Sequence, residues 1–172
     1  VLDGYVALGT DSNSTDIFDW ILSDNGSFSG LGGLNLSNNG IYFGGAFIRD
    51  SAGNHSDTIW GNSIYIDTKI PDTGSIIDGY WVMDLDYSID STKLSYIWSN
   101  FTDNTEIDYY EIAIGTGNDT SNTLDWITSD STDSMTVTGL NLVRDTLYYT
   151  YIKAVDLATN QSISAKTDGI YF

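Results

Sequence analysis

Residues 7–24 read ALGTDSNSTDIFDWILSD, and residues 113–130 read AIGTGNDTSNTLDWITSD. Laying residues 1–66 on 107–172 at a constant offset of 106, without a gap, gives 19 identical positions. They include Gly33-Leu34-Asn35-Leu36 on Gly139-Leu140-Asn141-Leu142, Tyr42 on Tyr148, and Asp50, Ala52, Asn54 and Ser56 on Asp156, Ala158, Asn160 and Ser162. A period of that length is an ordinary domain and not a solenoid rung, so the repeating unit is a whole domain. The chain holds one full repeat, 67–172, and the trailing part of another, 1–66.

Within the repeat the hydrophobic period is two. Lys93-Leu94-Ser95-Tyr96-Ile97-Trp98, Tyr110-Glu111-Ile112-Ala113-Ile114 and Ser134-Met135-Thr136-Val137-Thr138 alternate, bounded by Gly, Asn, Asp and Ser. No stretch carries three turns of helical periodicity. Short alternating strands with frequent turn signals predict an all-β chain of antiparallel sandwiches. The full repeat should place strand A near 74–83, broken around Asp78-Gly79, B at 93–99, C at 109–115, C′ at 124–128, E at 134–138, F at 147–155 and G at 162–172. Subtracting 106 gives C to G of the first copy, with its E near 28–32, and nothing for A and B. A sheet without its A and B partners leaves an apolar face and an edge uncovered. Two sources for the missing strands are expected: a preceding repeat of a longer tandem array, or a neighbouring subunit that donates them.

The composition excludes several classes. Of 24 acidic residues all but Glu106 and Glu111 are Asp, against 6 Lys and Arg, for a net charge of −18. Six scattered cations give no footprint for phosphates, so no nucleic-acid partner is expected. Short carboxylates suit turns, where they bond their own backbone. With 41% hydrophobic residues each full repeat can bury a core. There is no cysteine for staples or thiolate sites, and no apolar run of membrane length.

Trp98, Tyr110 and the stretch GLNLVRDTLYYTYIKAVD at 139–156 resemble a fibronectin type III module, whose Leu, Tyr and Ala positions are matched by Leu140, Tyr148 and Ala154. The resemblance implies that Tyr148, and Tyr42 in the first copy, form a tyrosine corner and that Trp98 fills the core. The first copy departs from the pattern with Ile48 at the Ala position. Gly44-Gly45 stand where the second has Thr150-Tyr151, which predicts a kink or bulge in its strand F. The wider frame, from DTKIPDTGSIIDGY to DGIYF, is similar to repeats of large secreted and surface proteins of the Bacteroidota. That likeness implies an extracellular or cell-surface setting and export by the type IX route, and leaves the ligand open.

No catalytic set is legible. His55 is the only histidine, it falls in the F–G turn, and its repeat mate is Gln161, so it reads as a turn residue rather than a base. Glu106 and Glu111 lie near strand C, and an acid–base pair is defined by a carboxylate separation in space that sequence spacing does not give. Trp20 and Trp126, both in Asp-Trp-Ile, recur at strand C′ and read as packing residues under the C–E loop. Trp60 and Trp81 do not recur and are the aromatic candidates for a glycan contact. For Ca²⁺ the candidates are Asp84 and Asp86, placed by i, i+2 spacing on one face of a strand, with Asp67, Asp72 and Asp103 near the repeat junction. No other cofactor is expected.

Six acceptors sit in the Asp-(Ser/Thr)-(small apolar or Thr) sequon of Bacteroidota O-glycosylation: Ser51, Thr58, Ser91, Ser131, Ser134 and Thr146. Seven asparagines sit in Asn-x-(Ser/Thr): Asn13, Asn25, Asn35, Asn54, Asn100, Asn118 and Asn160. The sequence thus supports a non-catalytic adhesive or stalk segment whose partners are adjacent repeats or neighbouring filament subunits. Two alternatives stay open: an accessory module beside a secreted polysaccharide-degrading enzyme, and a strand-exchanged, pilus-like subunit.

Overall fold

The computed structural model describes residues 2–23, 32–81, 83–130 and 133–172. They form strands and no helix, in two compact units, Val1–Thr68 and Lys69–Phe172.

In the first unit β1 (Asp3–Gly9), β2 (Phe18–Ser23), β3 (Ile41–Arg49) and β4 (Ile59–Trp60) make one sheet in the order β2-β1-β3-β4, and β5 (Ile64–Tyr65) pairs with β3. The strand E expected near 28–32 falls almost wholly on residues 24–31, outside the described residues. The kink expected at Gly44-Gly45 is absent. β1 and β3 pair without a register shift from Asp3 opposite Arg49 to Gly9 opposite Phe43. Gly45 is needed for a different reason: a Cβ there would stand 2.9 Å from Trp60 Cζ3 and 3.0 Å from Trp20 Cη2. The glycine lets two indole rings lie down on the strand.

The second unit has two sheets. β6 (Ser75–Tyr80), β7 (Met83–Asp84), β8 (Lys93–Ser99) and β11 (Ser134–Thr138) run in the order β11-β8-β6-β7. The other sheet joins β9 (Ile107–Thr116), β10 (Leu124–Ser129), β12 (Leu147–Asp156) and β13 (Ala165–Lys166) as β10-β9-β12-β13, with β14 (Ile170–Tyr171) on β12. The alternation in the sequence is the alternation of faces: Leu94, Tyr96 and Trp98 are buried while Lys93 and Ser99 are exposed. They meet Ile112, Ile114, Ile152 and Ala154 in one core. Covering a single isoleucine of that kind contributes about 2 kcal/mol. Strand A does not run on to residue 83. The chain reverses through Gly79 (φ 124°) and Trp81 (φ 68°), so that β7 pairs back on β6. Strand G is likewise two short strands, separated by a turn with Gly169 at φ 108°.

The repeated residues are the ones that pin loops. Gly9 and Gly115 each lie beneath the loop that follows their strand, where a Cβ would meet the carbonyl oxygen of Ser14 or Asp119 at 1.8 Å. Asp50 accepts the Asn54 N–H at 2.8 Å and its amide at 2.9 Å, and Asp156 accepts the same pair from Asn160 at 2.8 Å each. Ser56 Oγ accepts the Ile48 N–H and Ser162 Oγ the Ala154 N–H. Tyr42 Oη accepts the Ser37 N–H at 2.9 Å and Tyr148 Oη the Val143 N–H at 2.8 Å. Tyr148→Phe leaves that N–H without its acceptor, so urea unfolding of the second unit should show a loss of about 1–2 kcal/mol. A loss under about 0.3 kcal/mol would mean that water replaces the hydroxyl without cost.

Candidate functional site

The two copies of the same sheet differ in what covers them. In the second unit Ile112, Ile152 and Ala154 are completely buried, because β8 and β6 pack across them. Their repeat mates in the first unit are Val6, which is half-buried, and Ala46 and Ile48, which are exposed; Ile48 is 47% exposed. Among the described residues of the first unit no strand forms a second sheet. The face is instead an open groove of about 540 Å³ lined by Gly4, Val6, Ala46, Ile48 and Ile59. Positions that make a core in one repeat thus make an apolar surface in the other. Ser23, Ser56 and Asp57 line the same groove, and an exposed apolar surface of this kind suits packing against another sheet.

The opposite face of the first sheet carries aromatic rings. Tyr5 stacks on Phe47 at 4.9 Å, Trp20 meets Phe47 edge-on at 4.7 Å, and Trp60 lies 6.0 Å from Trp20. Arg49 sits over Tyr5 at 5.0 Å. Trp20 thus packs on rings of its own sheet; the loop expected above it falls on residues 24–31, outside the described residues. In the second unit the mates of Tyr5 and Phe47 are Glu111 and Lys153, which pair at 2.9 Å, and the Lys153 ammonium stands 4.1 Å over Trp126. One face is held by ring stacking and its sister by an ion pair with a cation–π contact. His55 is exposed in its turn and stacks on Phe47 at 4.9 Å. Glu106 accepts the Leu157 N–H through its backbone carbonyl. Trp98 is 2% exposed and Trp81 84%.

Of the carboxylates expected near a metal, Asp84 closes β7 and Asp86 follows outside the strand, so the shared strand face is lost. Asp67 belongs to the first unit. Asp72 pairs with Lys69 at 3.0 Å, and Asp103 accepts the Thr105 N–H and hydroxyl. Asp84 instead joins Asp78 and Asp168, with one carboxylate oxygen of each lying within 4.8 Å of the others. Burial pushes the Asp78 carboxyl up to about 7, and the charges of Asp84 and Asp168 push the same way, while the nearby Thr167 hydroxyl and Gly169 N–H pull it down. Asp78 and Asp168 were not legible as a pair, since 90 residues separate them and only the packing of the two sheets joins them.

Among the sequon residues Ser51, Thr58, Ser134, Asn13, Asn35, Asn54, Asn100 and Asn118 are exposed, and Ser91, Thr146 and Asn160 are half-buried. Ser131 and Asn25 lie outside the described residues. Asn54 and Asn160 spend their amides on the turn aspartates.

No protein-family model and no curated protein matches the chain. Among solved structures, the chain is similar to the FN1 to FN3 domains of chicken CNTN1, at 14% identity and a TM-score of 0.52 over 99% of this chain and 57% of that one. It is also similar to domains A168 to A170 of titin, at 13% identity and a TM-score of 0.54 over 98% of this chain and 53% of that one. The chain spans just over half the length of these two, and at such identities the likeness speaks for fold alone. The chain has the all-β fold of tandem fibronectin type III and immunoglobulin-like domains.

Proposed function

We propose that the chain is a non-catalytic spacer and presentation segment of a long extracellular surface protein, built from tandem sandwiches in which an A–B segment covers each C-to-G sheet. The observation that carries this reading is the contrast between Ile152 and Ala154, wholly buried, and their mates Ala46 and Ile48, exposed. In the complete repeat the cover is supplied by residues 75–99, so the natural cover for the first unit is an A–B segment of the same kind. Repetition adds length and avidity. A net charge of −18 keeps neighbouring stalks apart. Sugars on the exposed Ser51, Thr58 and Ser134 would thicken that layer.

The experiment grafts residues 67–106 directly ahead of Val1, the place the 106-residue offset gives them. The grafted chain should lose binding of an apolar dye such as ANS and gain a second cooperative unfolding transition. Dye binding and unfolding unchanged by the graft would overturn the reading. The accessory-module alternative draws on the Tyr5, Trp20, Phe47 and Trp60 rings, which give a sugar a stacking surface.

A further inference from the structure

The second unit carries three carboxylates that a spacer does not use. Asp78 lies on β6, Asp84 ends β7, and Asp168 sits in the turn between β13 and β14; one oxygen from each lies within 4.8 Å of the other two. Asp78 is completely buried. Its Oδ2 accepts the Gly169 N–H at 3.2 Å, but its Oδ1 is buried with no hydrogen-bond partner. Asp84 Oδ1 accepts the Asp78 N–H at 3.2 Å, which holds that carboxylate against the same strand. The four ion pairs among the described residues use Asp3, Asp72, Asp90 and Glu111. No Lys or Arg among them neutralises this group.

A fully buried carboxylate oxygen without a donor is costly, and two further carboxylates beside it raise the cost. A positive ion removes both penalties at once. The donor set is all oxygen, with no His or Cys, which selects a hard cation. Ca²⁺ takes six to eight oxygens at about 2.3–2.6 Å in flexible geometry, whereas Mg²⁺ demands a near-ideal octahedron at about 2.1 Å and keeps most of its own waters. Asp84 and Asp168 are exposed, leaving room for water to complete a six- to eight-oxygen shell.

We propose that Asp78, Asp84 and Asp168 bind a calcium ion that staples the β6–β7 hairpin of one sheet to the β13–β14 turn of the other. The affinity expected for such a half-open site is a Kd of about 0.1–1 mM, in the range of extracellular modules.

The test is calorimetric titration of the whole chain with CaCl2, together with thermal melts in CaCl2 against NaCl of equal ionic strength. Heat of binding and a Ca²⁺-specific rise in the melting temperature of the second unit are expected. The Asp84→Asn/Asp168→Asn double variant, which alters only exposed side chains, should fold and bind Ca²⁺ at least about tenfold more weakly. No heat and no shift at about 10 mM CaCl2, well above that Kd range, or an undiminished response in the double variant, would overturn the site. An equal response to MgCl2 would overturn its assignment to calcium.

Discussion

Replacing Ile152 by aspartate should unfold the second unit, while the same change at its mate Ala46 should leave the first unit as stable as before. Ile152 has no exposed surface and lies in the core with Trp98, Tyr96 and Ile112. The core around it holds no Lys or Arg, and a buried charge without a counterion costs about 3–5 kcal/mol. Domains of this size hold about 5–15 kcal/mol in all, so urea titration should find the unfolding transition of the second unit largely gone. At Ala46, which is exposed, the carboxylate stays in water and the change should be within about 0.5 kcal/mol. The pair becomes decisive when residues 67–106 are grafted ahead of Val1. Once that face is covered, Ala46→Asp should become as damaging as Ile152→Asp. An Ala46→Asp change that unfolds the ungrafted chain would mean that the face is already covered, and the proposed completion by an A–B segment would fail.

Trp98→Ala should be nearly as severe. Trp98 is 2% exposed, its ring lies 5.3 Å from that of Tyr110, and Phe101 meets the same tyrosine at 5.5 Å from the other side. Truncation removes the largest side chain of the core and leaves a cavity that rigid sheets on both sides cannot close. The expected loss is about 3–5 kcal/mol, read as a fall in the denaturant midpoint of the second unit. Trp81→Ala is the control: that ring is 84% exposed, and its removal should cost no more than about 0.5 kcal/mol. Equal effects at the two positions would mean that the ring of Trp98 is not the centre of the core.

How much of this was legible follows from the range over which each signal acts. Strand β8 was readable to the residue because Leu94, Tyr96 and Trp98 alternate with Lys93, Ser95, Ile97 and Ser99, three of them polar, and alternation is a local property. Strand A was misjudged in its course, since a positive φ at Trp81, a residue with no special freedom there, turns the chain back on itself. Gly44-Gly45 looked like a break, but a glycine's missing side chain can serve a ring from another strand as readily as a bend. The ring neighbours of Trp20, Phe47 and Trp60, were not legible, because they depend on strand order. The Asp78–Asp168 contact lies still further out: it needs both sheets and both turns in place before any two of its atoms approach.

The stacked rings on the first sheet also give the molecule an optical asymmetry. Trp20 and Trp60, 6.0 Å apart and inclined at 59°, are close enough for their electronic transitions to mix. The first unit should therefore carry a near-ultraviolet circular dichroism band that vanishes when those rings part. The second unit offers a different probe: Trp98, shielded from water, shifts its emission to the red only when the core opens. Heating the full chain while the circular dichroism band is followed, and a variant that keeps Trp98 as its one tryptophan while emission is followed, would tell which sandwich yields first.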